Sequence, residues 1–186
     1  APQIHMYLNK FPPTTSFLPI NSLLCCRRGW ATVFVNALKS LDDAIGVVGP
    51  RCRQGKQVIL THDFVNRVHM KIFNKSYYPP MLTDWWSDDW ISSVYGESRT
   101  MKASKIEVIH HTMDQKRRYE VNESLSSRVK GLISEGQAAV NKWMTEKISV
   151  ETAIAYEKNV KKGVTFSIKD IPESVYEMSA PDIPLQ

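Results

Sequence analysis

The sequence predicts an α/β domain, and three observations carry that reading. Apolar residues from Trp30 onward recur at helical spacing, short apolar runs such as Ile45 to Pro50 end at turn residues, and the two patterns alternate along the chain. The 186 residues are 42% hydrophobic and 23% charged, the balance of an ordinary globular chain with material for one core.

Residues 1–28 read as an irregular segment, because Pro2, Pro12, Pro13 and Pro19 interrupt apolar fragments that have no period. The opening Ala-Pro-Gln-Ile-His lacks the basic region and cleavage site of a signal peptide, so a fragment, a trimmed chain or a processed product is expected. The first helix follows: Trp30, Val33, Phe34, Ala37, Leu38 and Leu41 share one face, and Asp42-Asp43 closes it.

Ile45 to Pro50 reads as a buried strand stopped by Gly-Pro, and Gln57 to Thr61 as a second short strand. Thr61 is placed to cap a helix over residues 62–73, which would carry His62 and His69 on one face. Asn74 to Thr83 is loop, stiffened at Pro79 and Pro80. Ser87 is the expected cap of a helix with Asp88 and Asp89 in its first turn and a stop at Gly96. Lys105 to Ile109 alternates as a strand that delivers His110 and His111 at its end. Helices are expected over Asn122–Met144 and Val150–Val160, and the proline-bearing stretch after Asp170 reads as a tail.

Composition narrows the function classes. No run approaches the roughly 18 to 20 apolar residues of a membrane span, so none is expected in this chain. Cys25, Cys26 and Cys52 lack the spacing of a zinc site or disulfide framework. The net charge of +5 is dispersed over short runs such as Lys116-Arg117-Arg118, which read as solvated surface, and nucleic acid is not an expected partner. Asn74-Lys75-Ser76 and Asn122-Glu123-Ser124 match the N-glycosylation pattern, which permits a secretory location without indicating one.

The densest chemical signal is Asp84-Trp85-Trp86-Ser87-Asp88-Asp89-Trp90, three tryptophans interleaved with four polar residues, of which three are carboxylates. Tryptophan faces stack on sugar rings, and a carboxylate among them can take a proton from a hydroxyl. The plainer reading stands beside it: first-turn aspartates are ordinary caps and tryptophans ordinarily belong to the core.

The ordered set Gly46-Val47-Val48-Gly49-Pro50, Ile59-Leu60-Thr61-His62-Asp63-Phe64-Val65 with His69 and Phe73, Tyr78-Pro79-Pro80, Asp84 to Ile91, Val94-Tyr95-Gly96 and Val108-Ile109-His110-His111 resembles GT-A-type glycosyltransferase-like proteins of the nucleotide-diphospho-sugar transferase superfamily. The resemblance covers residues from about Gly29 to Val121 and implies the acceptor-side half of a GT-A-like domain, a partial GT-A-like sandwich with C-terminal helices. The remaining divisions are a helical region over 122–170 and a tail over 171–186.

What the resemblance implies about the site is specific. Gly49 and Pro50 belong to a glycine loop near the donor, Asp89 is the catalytic base with Asp88 beside it, and Tyr78, Trp85, Trp86 and Trp90 line the acceptor groove. His110 or His111 is the late histidine that ligates a divalent cation, Mn2+ or Mg2+, and the partners are a nucleotide-diphospho-sugar donor and a carbohydrate or protein acceptor. The family's DxD motif is missing: Pro19 to Arg28, where it belongs, holds no acidic residue. The chain is therefore expected to be a piece of a larger enzyme or a domain that binds without transferring. The alternative to an enzyme is a module that binds a glycan or a protein through its Trp-rich loop.

Overall fold

The computed structural model describes residues 29–41, 43–53, 58–82, 86–108, 123–161 and 168–177. They form a mixed α/β structure around a four-stranded sheet. In chain order the elements are α1 (Trp30–Lys39), β1 (Val47–Cys52), β2 (Phe64–Val65), α2 (Val68–Ile72), α3 (Ser87–Val94), β3 (Thr100–Val108), α4 (Ser126–Lys147), α5 (Val150–Val160), β4 (Lys169–Asp170) and α6 (Glu173–Glu177). The strand order is β2-β1-β3-β4, with β1 antiparallel to β2 and parallel to β3, and β3 parallel to β4.

Alternation along the strands divides the core in two. Val47 and Val65 face one side with Trp90, Ile91, Val140 and Met144, the side covered by α3, α4 and α5. Val48 and Phe64 face the other with Phe34, Leu38 and Met101, the side covered by α1 and α6. The long helix α4 lies against α3 because Gly136 permits it. A Cβ there would stand 2.5 Å from Val94 Cγ2 and 3.2 Å from Trp90 Cζ2. Ser149 starts α5, its hydroxyl accepting the Thr152 N–H at 3.1 Å.

Several local expectations are corrected. The run from Gly46 to Pro50 is not a loop: Gly49 and Pro50 are buried inside β1, which continues to Cys52. Gly49 is needed because residues 60–62 cross over it, and a Cβ would lie 2.2 Å from the His62 carbonyl oxygen. Pro50 is tolerated in an inner strand because the register with β3 breaks there, leaving Ser104, Lys105 and Ile106 out of the pairing.

Val58 to Leu60 forms a turn and bend rather than a strand, the strand falling instead at Phe64–Val65. The helix expected over 62–73 is only Val68–Ile72, begun by Asn66, whose Oδ1 accepts the Val68 N–H at 3.1 Å. His62 therefore shares no helix face with His69. The helix carrying Asp88 and Asp89 is capped by Trp86 rather than Ser87, which is its first residue.

The stretch after Asp170 is partly built into the fold. Ile171 and Val175 are buried among the α1-side core, and the Ile171 N–H bonds the Lys102 carbonyl at 3.0 Å. Asp43, read as a helix end, forms a buried ion pair with Arg99 at 2.6 Å, and the same guanidinium donates to the Ile45 carbonyl at 2.8 Å. That bond ties the α1–β1 corner to the start of β3.

Candidate functional site

The site is assembled where the chain leaves α2 and reaches α3. Asn74 and Lys75 both take left-handed backbone angles, φ 49 and 66, which reverses the chain after α2. Asparagine visits that region readily because its short polar side chain can bond locally. The chain bends at Tyr77 and Tyr78, and the Leu82 N–H closes a turn on the Pro79 carbonyl at 2.8 Å.

This path brings two consecutive tyrosines onto Asp63, which stands just before β2. Tyr77 donates its hydroxyl to Asp63 Oδ1 at 2.5 Å and Tyr78 donates to Oδ2 at 2.6 Å. The two rings meet edge to face with centroids 4.8 Å apart. Burial, then the Asp63 charge, pushes both phenols far above their ordinary range, so both stay protonated and donating.

Beneath them lies a second polar chain. His69, 1% exposed, has Nε2 2.7 Å from the Tyr77 carbonyl and Nδ1 2.7 Å from the Tyr95 hydroxyl. A carbonyl only accepts, so Nε2 carries the proton; Nδ1 of the neutral ring then accepts from Tyr95. Desolvation lowers the His69 pKa from 6.5 to about 4 and keeps the ring neutral at pH 7. Its face packs on Phe73 at 4.7 Å.

The carboxylates come from α3. Trp86 opens the helix at φ 70, a left-handed angle that costs a bulky residue about 1 to 2 kcal/mol, and Asp88 and Asp89 follow half-buried in the first turn. There the helix dipole favours negative charge. Successive helical positions point about 100° apart. Of the pair, Asp88 is the acid whose charge acts on the Tyr78 phenol.

The far end of α3 is stitched down. Trp90 donates Nε1–H to the Leu132 carbonyl at 3.1 Å, Gln137 donates to the Ser93 carbonyl at 3.0 Å, and the Tyr156 hydroxyl donates to the Val94 carbonyl at 2.8 Å. Bonds to the C-terminal helices thus hold α3 in place.

The structure therefore brings Tyr77 and Tyr78 together on Asp63 and sets the Tyr78 ring edge-on to α3, whose first turn carries Asp88 and Asp89 and opens at the half-buried Trp86. It does not bring in Trp90, which is 1% exposed and belongs to the core, so its expected place in an acceptor groove is corrected. Gly49 and Pro50 lie within the sheet, as described. Trp85, His110 and His111 fall outside the described residues. Asp63 and the buried His69 network were not among the predicted site residues. Their partners lie 8 to 26 positions away in sequence, beyond any local spacing signal.

The divalent cation implied by the resemblance finds no fitting donor set here. Among the described residues no three His, Cys, Asp or Glu side chains converge, and each Asp63 oxygen already accepts a tyrosine hydroxyl. No helix among them is long and apolar enough to cross a membrane. Comparison with known proteins gives no match, whether to a family model, a curated protein or a solved structure.

Proposed function

We propose that the chain is the acceptor side of a GT-A-like glycosyltransferase domain, moving a sugar from a nucleotide-diphospho-sugar to an acceptor hydroxyl. The single observation that supports it best is the tyrosine pair anchored on Asp63, with the Tyr78 ring edge-on to Trp90 of α3, the helix whose first turn carries Asp88 and Asp89. Carboxylates that accept hydroxyl protons, next to aromatic rings that cover sugar faces, are the parts an acceptor site needs.

In this reading Asp89 takes the proton from the acceptor hydroxyl as its oxygen attacks the anomeric carbon. The bond from that carbon to the diphosphate breaks, and the diphosphate leaves with the electron pair. One in-line displacement inverts the anomeric centre. Asp88, beside Asp89 in the same turn, orients the acceptor. The missing DxD favours one rival, a glycan-binding module that uses the same surface without chemistry.

The test is titration calorimetry and turnover with UDP-glucose, UDP-galactose and UDP-N-acetylglucosamine, each with and without Mn2+, against a panel of simple glycosides. Asp89→Asn is expected to keep sugar binding and lower turnover by at least about 100-fold, the scale of a lost general base. Asp88→Asn is expected to raise the acceptor KM. Glycan binding without donor binding would replace the transferase with the binding module, and no response to any ligand would overturn both.

A further inference from the structure

At a bend in the chain, the hydroxyls of Tyr77 and Tyr78 converge on one carboxylate. Tyr77 is held twice, since its carbonyl also accepts from His69 Nε2 at 2.7 Å. Tyr78 is held by its hydroxyl bond to Asp63 at 2.6 Å, with its ring edge-on to Trp90 at 6.4 Å. We infer that Asp63 is a positioning residue for the acceptor site, acting through the Tyr78 hydroxyl to set that ring against the first turn of α3. This rests on the reading of Tyr78 and that turn as the acceptor side.

The geometry makes the carboxylate specific. Two hydroxyl donors need two acceptor oxygens, and a carboxamide of the same shape offers only one, its other end being a donor. In Asp63→Asn one of the two tyrosines therefore loses the acceptor for its hydroxyl proton and can only accept from the amide, whereas a residue serving merely to fill space would tolerate the exchange. Both donor bonds go to a charged group, the stronger class, so the release is measurable.

The experiment uses proton NMR of the whole chain at neutral pH, with the two hydroxyl protons assigned by Tyr77→Phe and Tyr78→Phe. The wild type is expected to show two slowly exchanging downfield hydroxyl signals. Asp63→Asn should retain at most one and shift the amides of Asp88 and Asp89, leaving those of α4 and α5 in place. If Asp63→Asn fails to fold, Tyr78→Phe breaks the same bond with the ring retained and should move the same amides.

In the turnover assay, Asp63→Asn and Tyr78→Phe should each raise the acceptor KM by about tenfold with kcat within about twofold. The double variant should be no worse than either single one. Survival of both hydroxyl signals in Asp63→Asn, unmoved α3 amides in Tyr78→Phe, or KM effects that multiply in the double variant would overturn the inference. A wild type with no turnover overturns the transferase reading, while the NMR result still decides whether Asp63 positions Tyr78.

Discussion

On the side of the sheet covered by α1 and α6, the fully buried cluster is aliphatic and phenyl: Leu38, Val48, Ile171 and Val175 meet Phe34 and Phe64, with Trp30 and Tyr176 packed at its margin. On the opposite side hydrogen-bonded polar tips run through the buried cluster itself. His69, Tyr95, Trp90 and Tyr156 are each buried and each bonded to a named partner. Apolar contacts are tolerant of small shifts, whereas a buried hydrogen bond fixes direction and is costly to leave unmade. The difference explains why the candidate site belongs to the second side: the first stabilises the sheet, and the second also aims side chains.

The largest expected effect tests whether Trp90 belongs to that aiming core. Trp90→Ala should cost about 3 to 5 kcal/mol in urea unfolding, the range for a deleted buried aromatic. Phe34→Ala on the α1 side should cost a similar amount, yet leave the hydroxyl signals of Tyr77 and Tyr78 unchanged. A Trp90→Ala cost below about 1 kcal/mol, joined to weakened glycan binding, would return Trp90 to the acceptor groove.

Protonation separates the two sides more sharply. The His69 pKa is about 4 in the folded chain against 6.5 when unfolded, so between those values the unfolded chain binds more protons. Stability supplied by neutral His69 is complete above pH 6.5 and is lost as pH falls towards 4, by about 3 kcal/mol in all. Urea midpoints at pH 7 and 4.5 should thus fall more for the wild type than for His69→Phe. Phe34→Leu, on the side where the packed Tyr176 phenol is raised by burial and so stays protonated across this window, should keep the wild-type slope. Equal slopes for wild type and His69→Phe would contradict the buried neutral ring.

What the sequence disclosed follows the same division. Helices with a full apolar face were legible: α1 begins at Trp30 and α5 spans Val150–Val160 as the spacing indicates. The strand β2 was not, because two residues carry no alternation. The apolar content of Gln57 to Thr61 points to a strand there, although tertiary contacts use Leu60 in a crossing, its N–H bonding Ser92 Oγ at 2.8 Å. Asp88 and Asp89 were placed in the right turn by cap chemistry. Asp63 was passed over because its meaning lies in Tyr77 and Tyr78, folded back onto it by the α2 turn. Burial of Trp90 was readable from its i, i+4 partner Val94, and the aromatic density of the segment obscured it.

The smallest expected effect concerns the end of the α1 side, where prolines after Asp170 suggest a tail and the chain instead adds α6 directly after β4. Lys105 and Glu173 form an ion pair across this junction, but their side chains are 48% and 62% exposed. Exposed pairs of this kind contribute about 0.2 to 1 kcal/mol and weaken with salt. Burial of Ile171 and Val175, together with the Ile171 N–H bond to Lys102, is the stronger attachment. Glu173→Gln should therefore change unfolding stability by less than about 1 kcal/mol, and 0.5 M salt should remove most of that difference. Ile171→Ala should detach the segment and expose β4 to amide exchange. A loss of 2 kcal/mol or more from Glu173→Gln would instead mean that charge holds this edge, and the contrast between an apolar side and a hydrogen-bonded side would fail where the sheet ends.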